Sequence, residues 1–278
     1  YTQQGGRIPG NDKQRMSLRL NLDQRLGKIG YLMLSVNGGY SKTNTPNGTT
    51  NDPASLVYDL NPYEQTYGEL WSNPGRTYKD LMNQFSEVGT DTDAGATASI
   101  TITPVSGLDI AAVGGVNFML AENRQFTPST AYSETHSGIP EEERGIYSKS
   151  KLSTINLSSN VRITYSKTFN DKHDFTIGAN TDYYMTSSDN VLMRGYGVGT
   201  INSAAAINQS LQGNRQPYVS GLRDKSAQIG IGVVSGYTYD GTYDLFATYK
   251  LDASSVLPAD KRWNSAWAVG AGWTPSQY

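Results

Sequence analysis

Aromatic side chains recur through a long polar stretch near the start of the chain, where they could bind a sugar or a peptide. Between residues 42 and 93 they are interspersed with Asn, Glu and Arg, and four are candidates for ligand binding: Tyr63, Tyr67, Trp71 and Tyr78. Aromatic faces stack on sugar rings and peptide side chains, while neighbouring polar groups satisfy hydroxyls. The alternative is that these rings pack the loop against itself or a neighbour, as long folded loops require.

Charged residues in segments of alternating polarity form a second set of candidates. Arg19, Arg162 and Asp182 occupy polar positions of such segments, as do Asp109 and Lys250. Successive side chains of a strand point to opposite faces, so we expect these charges to face the lumen of a barrel, where they would tune selectivity. The alternative is that they solvate one another or contact another domain.

No pattern in the sequence is typical of an enzyme or of a metal site. His136 and His173 are far apart, and neither accompanies a nucleophile motif or metal-ligand spacing. The Asp-Thr-Asp at 91–93 lacks the glycine and distal glutamate of a calcium loop. The three glutamates at 141–143 are expected to form a solvated loop tip. We therefore predict a protein that is not an enzyme and that uses no metal or cofactor.

The composition narrows the class of protein further. The 278 residues include 23 Lys or Arg and 25 Asp or Glu, so the net charge of −2 gives no argument for binding nucleic acid. No run approaches the roughly 18 consecutive apolar residues that a membrane-spanning helix requires. Cysteine is absent, which excludes a disulfide framework and a thiolate metal site.

Apolar and polar residues alternate over long segments, as they do in β-strands with unlike faces. In 154–166 the apolar series is Ile155, Leu157, Val161, Ile163 and Tyr165, and the intervening positions are polar. Similar segments occur around 16–22, 32–36, 108–118, 175–185, 229–237, 243–251 and 267–273. In all, the pattern predicts about nine antiparallel strands.

Tight turns and long polar loops alternate between these strands. Turns are predicted at 26–28, 103–107, 170–172 and 240–242, and long connections at 42–93, 121–150 and 188–224, with a shorter one at 253–264. Outer-membrane barrels show this asymmetry because their periplasmic turns are short and their extracellular loops long. Aromatic residues also cluster at strand ends, as in the girdle of a barrel: Tyr165, Phe169, Phe175, Tyr237, Tyr239 and Tyr243. Alternation alone would also fit a half-buried soluble sheet, but together these features favour an all-β, antiparallel transmembrane β-barrel.

Two stretches carry a resemblance to a known family. Residues 236–256 (GYTYDGTYDLFATYKLDASSV) resemble the SusC-like TonB-dependent transporters of Bacteroidetes, which show Tyr-x-Tyr, a turn with Gly, a Tyr-x-Leu strand and then Arg-x-Asp-Gly-Ser-Ser. This chain departs from that pattern with Lys-Leu-Asp-Ala at 250–253. Residues 261–273 are similar to the family's next strand, and the Ile-Thr-Pro at 102–104 to its periplasmic turn.

The resemblance implies a place in a larger molecule. Such transporters have a barrel of about 22 strands filled by an N-terminal plug, so residues 1–278 would be part of one barrel domain of a longer polypeptide. The nine predicted strands are an odd number, whereas bacterial single-chain barrels usually have an even number. A barrel protein also needs a signal peptide for export, and none precedes Tyr1. Both points agree with that expectation.

The same resemblance implies a function in the bacterial outer membrane. The expected activity is TonB-dependent import of an oligosaccharide or peptide, with a SusD-like lipoprotein as the lid and with the TonB complex engaging a region outside this chain. Outer-membrane lipid would surround the wall. Two alternatives stay open: a soluble or surface all-β domain that binds glycans or mediates adhesion, and a simple diffusion porin without a plug.

Overall fold

The computed structural model describes residues 1–6, 10–45, 69–70, 73–77, 86–135, 138–199, 207 and 214–275. Most of this part is β-strand. The strands are β1 Thr2–Gly5, β2 Asp12–Leu26, β3 Gly30–Thr45, β4 Glu69–Leu70, β5 Asn73–Thr77, β6 Ser86–Val105, β7 Leu108–Thr127, β8 Ile146–Phe169, β9 His173–Tyr196, β10 Tyr218–Tyr239, β11 Tyr243–Ser254 and β12 Trp263–Trp273.

Ten of these strands form one antiparallel sheet whose order follows the chain. The order is β1-β2-β3-β6-β7-β8-β9-β10-β11-β12, and β4 pairs with β5 in a separate hairpin. Short helical segments lie in the connections: α1 at Tyr132–Thr135 and 3-10 turns at Glu141–Glu143 and Ala259–Lys261. Among the described residues, no helix has the length and apolar character needed to cross a membrane.

The pairing register gives the sheet one apolar face and one polar face. Leu157 in β8, for example, lies opposite Val116 of β7 and Met185 of β9. Its neighbour Asn156 lies opposite Asn117 and Thr186 on the other face. Because side chains alternate along each strand, the same division runs through every long strand of the sheet. The apolar face is uncovered: Trp267 is 76% exposed and Val269 is 69% exposed.

Tight turns join the long strands at one end of the sheet. In the turn after β10, Asp240 and Gly241 have φ values of 51° and 63°, and the amide of Thr242 donates to the carbonyl of Tyr239 at 2.9 Å. Positive φ at both central residues is the geometry that matches the twist of a hairpin, and Asp-Gly adopts it readily. The predicted turns at 26–28, 103–107, 170–172 and 240–242 all coincide with observed turns, within a residue or two.

The predicted fold class is confirmed, while the extent of the strands differs from prediction. The eight predicted segments lie in β2, β3 and β7–β12, and β6 runs up to the predicted turn at 103–107 and brings the number of long strands to the expected nine. The structure adds the short edge strand β1 and the β4–β5 hairpin. The strands are much longer than predicted, with 24 residues each in β8 and β9. Consequently the predicted loops 121–150 and 188–224 shrink to 128–145 and 197–217. Backbone pairing continues past the apolar band, where polar and apolar residues occur on both faces and alternation gives no signal.

Candidate functional site: the polar face of the sheet

A shallow groove crosses β8, β9, β10 and β11 on the polar face. It has a volume of about 690 Å³, and its polar lining includes Asn160, Asp182, Tyr184, Lys250, Asp252 and Asn264. The register aligns several of these side chains in one row, because Asn160 pairs with Asp182, Asp182 with Gly230, Gly230 with Asp252, and Asp252 with Asn264. The groove is therefore a direct product of strand alignment.

Gly230 opens the groove between two carboxylates. A β-carbon at this position would lie 2.7 Å from Oδ1 of Asp252 and 3.7 Å from Oδ2 of Asp182. Any side chain at position 230 would thus displace the Asp252 carboxylate, since contacts below about 3 Å are repulsive. The missing side chain leaves a gap in the row, and both carboxylates border it.

The carboxylate of Asp182 accepts hydrogen bonds from two amides on its own side of the gap. Asn160 Nδ2 donates to Asp182 Oδ1, and Asn180 Nδ2 donates to Oδ2 at 3.2 Å. On the other side of the gap, Lys250 Nζ lies 3.0 Å from Asp252 Oδ1, and both side chains are about half exposed. The groove thus presents carboxylates, amides, an ammonium group and the Tyr184 ring to a ligand. Such a surface can hydrogen-bond to polar ligands.

The predicted lumen-facing charges all lie on the polar face, but in different places. Asp182 borders the groove. Arg162 lies one step along the same face, in the row that contains Asn180, Gly232 and Lys250. Arg19 lies far away on β2, beside a separate hollow of about 320 Å³ that Asp93 also lines. Two of the three predicted residues are therefore neighbours, and one belongs to another part of the wall.

The remaining predicted site residues lie away from the groove. Asp109 is on the polar face near a tight turn, where Thr103 Oγ1 donates to its carboxylate at 2.6 Å. The predicted ligand-binding aromatics Tyr63, Tyr67, Trp71 and Tyr78 lie outside the described residues, and so does His136. Within the described residues, no group of three or more His, Cys, Asp or Glu side chains is placed to hold a metal ion.

A second structured region, which sequence reasoning missed, lies at the loop end of the sheet. Here the β7–β8 connection packs on the β9–β10 connection. We call this region the outer cluster, and its members are Ala131, Glu134, Glu143, Tyr147, Val198 and Arg215. Glu134 is 3% exposed, accepts from the amide of Gly145 at 2.9 Å and lies 2.6 Å from Arg215 Nη1.

The expectation of a solvated tip at 141–143 is wrong for its last residue. Glu143 is 6% exposed and accepts hydrogen bonds from the amides of Asn214 at 2.8 Å and Arg215 at 3.2 Å. Its carboxylate is buried because two consecutive backbone donors from the other connection satisfy it, and a buried charge requires such partners. Glu141 and Glu142 are exposed, as predicted.

Comparison with known proteins gives structural matches only. The chain matches no model of a known protein family and no curated protein. It is similar in structure to chains of the RagAB peptide importer: one in the closed-closed state (TM-score 0.69, 18% identity) and one in the open-open state (TM-score 0.70, 15% identity). Each match covers 94% of this chain and 30% of that chain, so this chain spans less than a third of the length of the chains it matches. At this level of identity the likeness shows a shared fold, and this chain therefore has the antiparallel β-barrel fold of part of those chains.

Proposed function

We propose that this chain is part of the wall of an outer-membrane barrel that imports a nutrient with energy delivered through TonB. The observation that carries the proposal is a single long-stranded sheet with a continuous, exposed apolar face opposite a polar, grooved one. Leu18 at one side of the sheet is 64% exposed, and further apolar residues are exposed across the sheet as far as Trp267 near the other side. A soluble protein rarely exposes so extensive an apolar surface, whereas hydrocarbon lipid would cover it.

The aromatic residues at the turn end support a membrane boundary there. The rings of Phe175 and Tyr237 lie 5.7 Å apart on the apolar side, and His173 lies 5.1 Å from the Tyr239 ring while its Nδ1 is 2.7 Å from the Tyr237 hydroxyl. Rings with a polar tip favour the interface between hydrocarbon and water. Even β12, with 11 residues, is long enough for a tilted transmembrane strand.

Apart from the main sheet, the described part of the chain has only the two-stranded β4–β5 hairpin, whereas a soluble all-β sandwich requires a second large sheet. A sandwich would cover the apolar face with the inner face of another sheet about 10 Å away. Here all nine long strands belong to one sheet, and the apolar face remains exposed. The observation favours the barrel over a soluble glycan-binding domain.

The substrate we propose is a peptide or an oligosaccharide that passes along the polar face. The mixed amides, carboxylates and ammonium group of the groove suit the hydrogen-bonding groups of either ligand. The solved chains with this fold belong to a peptide importer, which supports a peptide. By the resemblance to SusC-like transporters, a SusD-like lipoprotein would cover the loop end, and the plug, the TonB contact and the remaining strands would lie outside residues 1–278. The chain's role in this proposal is binding and enclosure, without a covalent step.

Two measurements test the proposal. Envelope fractionation with an antibody against residues 42–93 should find a protein about three times the mass of this chain in the outer membrane, as a 22-stranded barrel with a plug requires. Uptake of labelled peptides and oligosaccharides should fall when the gene is deleted, and equally when TonB is absent. A band in the soluble fraction would contradict the barrel. Uptake that persists without TonB would instead favour a diffusion porin.

A further inference from the structure

The outer surface of the wall changes character where β7–β10 extend beyond the apolar band. The apolar-face positions of 119–127, 146–154, 186–196 and 218–226 hold five cations and two carboxylates. We call the cations the cationic belt: Arg124, Lys149, Lys151, Arg223 and Lys225. Along its own strand, each of these cations lies between the apolar band and the loop end.

The excess of positive charge is confined to this face. At the intervening positions of the same four ranges, on the polar face, the only charged residues are Arg194 and Asp224. Since these strands alternate strictly in register, the two faces share the same height on the sheet and differ only in direction. An excess of cations on the lipid side alone calls for an anionic partner on that side.

Only two of the five cations have an ion-pair partner among the described residues. Lys149 lies 3.5 Å from Glu122, and Arg223 donates to Asp189 at 2.6 Å. Arg124, Lys151 and Lys225 are exposed, and the described part of the chain gives them no ion pair. These three positive charges are available to a ligand.

A hollow at the lower edge of the belt joins charge to hydrocarbon. It has a volume of about 330 Å³ and is lined by Phe118, Leu120, Lys151, Ser153, Asp189 and Val191. All six residues occupy apolar-face positions. Phe118 and Leu120 continue the apolar band below, while Lys151 supplies a cation at the rim. This is the polarity of an amphiphile that has an anionic headgroup above acyl chains.

We propose that the cationic belt and this hollow bind a phosphorylated glycolipid of the outer leaflet. Its phosphate groups would lie at Lys151 and Lys225, and an acyl chain would lie against Phe118 and Leu120. Lysine is a good phosphate partner as a mobile point charge, and attraction near a membrane surface is worth about a fivefold change in affinity for each cation. The proposal rests on the proposed function for the membrane location only.

The test is native mass spectrometry of the full-length protein in detergent, titrated with diphosphorylated lipid A. Lys151→Gln should weaken binding about fivefold, and Lys151→Gln with Lys225→Gln about twenty-fivefold. The matched control is Lys167→Gln, which changes a lysine on the same strand and face but at the turn end, where it lies 5.0 Å from the Phe169 ring. Binding by this control should be unchanged. Fully dephosphorylated lipid A should bind the wild-type protein as weakly as the double variant binds the phosphorylated form.

Two outcomes of this titration would contradict binding of the glycolipid. Equal binding by the wild-type protein and the double variant, or equal binding of phosphorylated and dephosphorylated lipid, would overturn the proposal. Gel mobility without heating confirms that each variant is a folded barrel, and Lys151→Arg should retain binding because it retains the charge. A protein that binds the lipid but shows no TonB-dependent uptake would overturn the proposed transport function and leave this proposal standing.

Discussion

The sheet and the outer cluster are held together in different ways. The sheet has almost no buried side chains: among its described strands, the apolar side chains on one face and the polar side chains on the other are largely accessible. The outer cluster contains every buried residue other than glycine in the described part, apart from Ser148 beside it and Thr242 in a tight turn. Tyr147 and Val198 are each 2% exposed and pack with Phe126 and Ile207.

The sheet is stabilised by a repeated pattern of contacts, whereas the outer cluster is stabilised by a few particular contacts. In the sheet, each strand repeats the same backbone pairing and the same alternation, so many substitutions that keep the polarity of a face are tolerated. In the outer cluster, single carboxylates satisfy particular donors from a distant part of the chain, and nothing else can replace them. A change of face should therefore be most damaging in the sheet, and a change of a single partner most damaging in the cluster.

The largest effect is expected when a charge is moved to the other face of the sheet. Val161 and Arg162 are consecutive residues of β8 on opposite faces, in register with Thr181 and Asn180 of β9. Exchanging them (Val161→Arg with Arg162→Val) keeps the composition but places Arg against lipid, which should destabilise the barrel by about 2–4 kcal/mol. Denaturant unfolding of the full-length protein in lipid vesicles measures this change. Arg162→Val alone should have little effect, and an equally small effect of the exchange would refute a lipid-covered apolar face.

Much of the groove could be predicted from the sequence because tight turns determine register. The turn at 170–172 pairs Phe169 with His173, and counting outward from that pair places Asn160 opposite Asp182. The turn at 240–242 likewise places Gly230 opposite Asp252. Asn160 is not among the predicted site residues because a neutral amide carries no charge signal. Its spacing from Arg162 puts both on the polar face.

The remaining half of the groove could not be predicted in the same way. Gly230 lies opposite Asp182 across the connection 197–217, and a connection of that length leaves the register undetermined. The outer cluster is even less predictable from the sequence. Glu143 is bonded to a residue 71 positions away, whereas in the sequence it is one of three adjacent glutamates and has no local feature that marks it as buried.

A smaller but more localised effect is expected from Glu134→Ala. The substitution leaves the amide of Gly145 and the guanidinium of Arg215 without their shared acceptor. An unsatisfied buried donor destabilises by about 1–3 kcal/mol, and here the loss should open the two connections while the sheet stays intact. Hydrogen exchange should therefore accelerate in 128–145 and 197–217 and not in β8 or β9.

The matched control for that variant is Glu141→Ala, which removes an exposed carboxylate from the same connection. Its exchange rates should equal those of the wild-type protein. If Glu134→Ala also accelerated exchange throughout β8 and β9, the outer cluster would be part of the cooperative unit of the sheet, and the distinction between the two regions would be lost.

A still smaller effect on stability, but a measurable one on transport, is expected from Gly230→Ala. The new β-carbon would lie 2.7 Å from Asp252 Oδ1. Because this carboxylate is about half exposed it can move aside, so the stability should change by less than about 1 kcal/mol. The groove would become narrower, and we expect lower uptake with a raised KM.

Gly236→Ala is the control for the groove, since Gly236 is also on the polar face of β10 and a β-carbon there would meet nothing within 4 Å. Uptake by this variant should match that of the wild-type protein. Unchanged uptake by Gly230→Ala as well would show that substrate does not pass through the groove at this position, and would favour a path along the hollow beside Arg19.

The smallest effect is expected at the turn end, where an ion pair also joins two neighbouring connections. Lys172 Nζ lies 3.6 Å from Asp240 Oδ2, and both side chains are largely exposed. Exposed pairs of this kind contribute about 0–1 kcal/mol and weaken in salt. The two turns are in addition joined by a backbone bond from the Asp240 amide to the Lys172 carbonyl at 2.7 Å, which the substitution leaves in place. The free energy of unfolding of Lys172→Ala should therefore lie within about 0.5 kcal/mol of the wild-type value. A larger loss is expected for Glu134→Ala, although both substitutions remove one member of an ion pair between connections. A loss as large as that of Glu134→Ala would mean that charge pairing, and not burial of the paired groups, distinguishes the outer cluster from the rest of the wall.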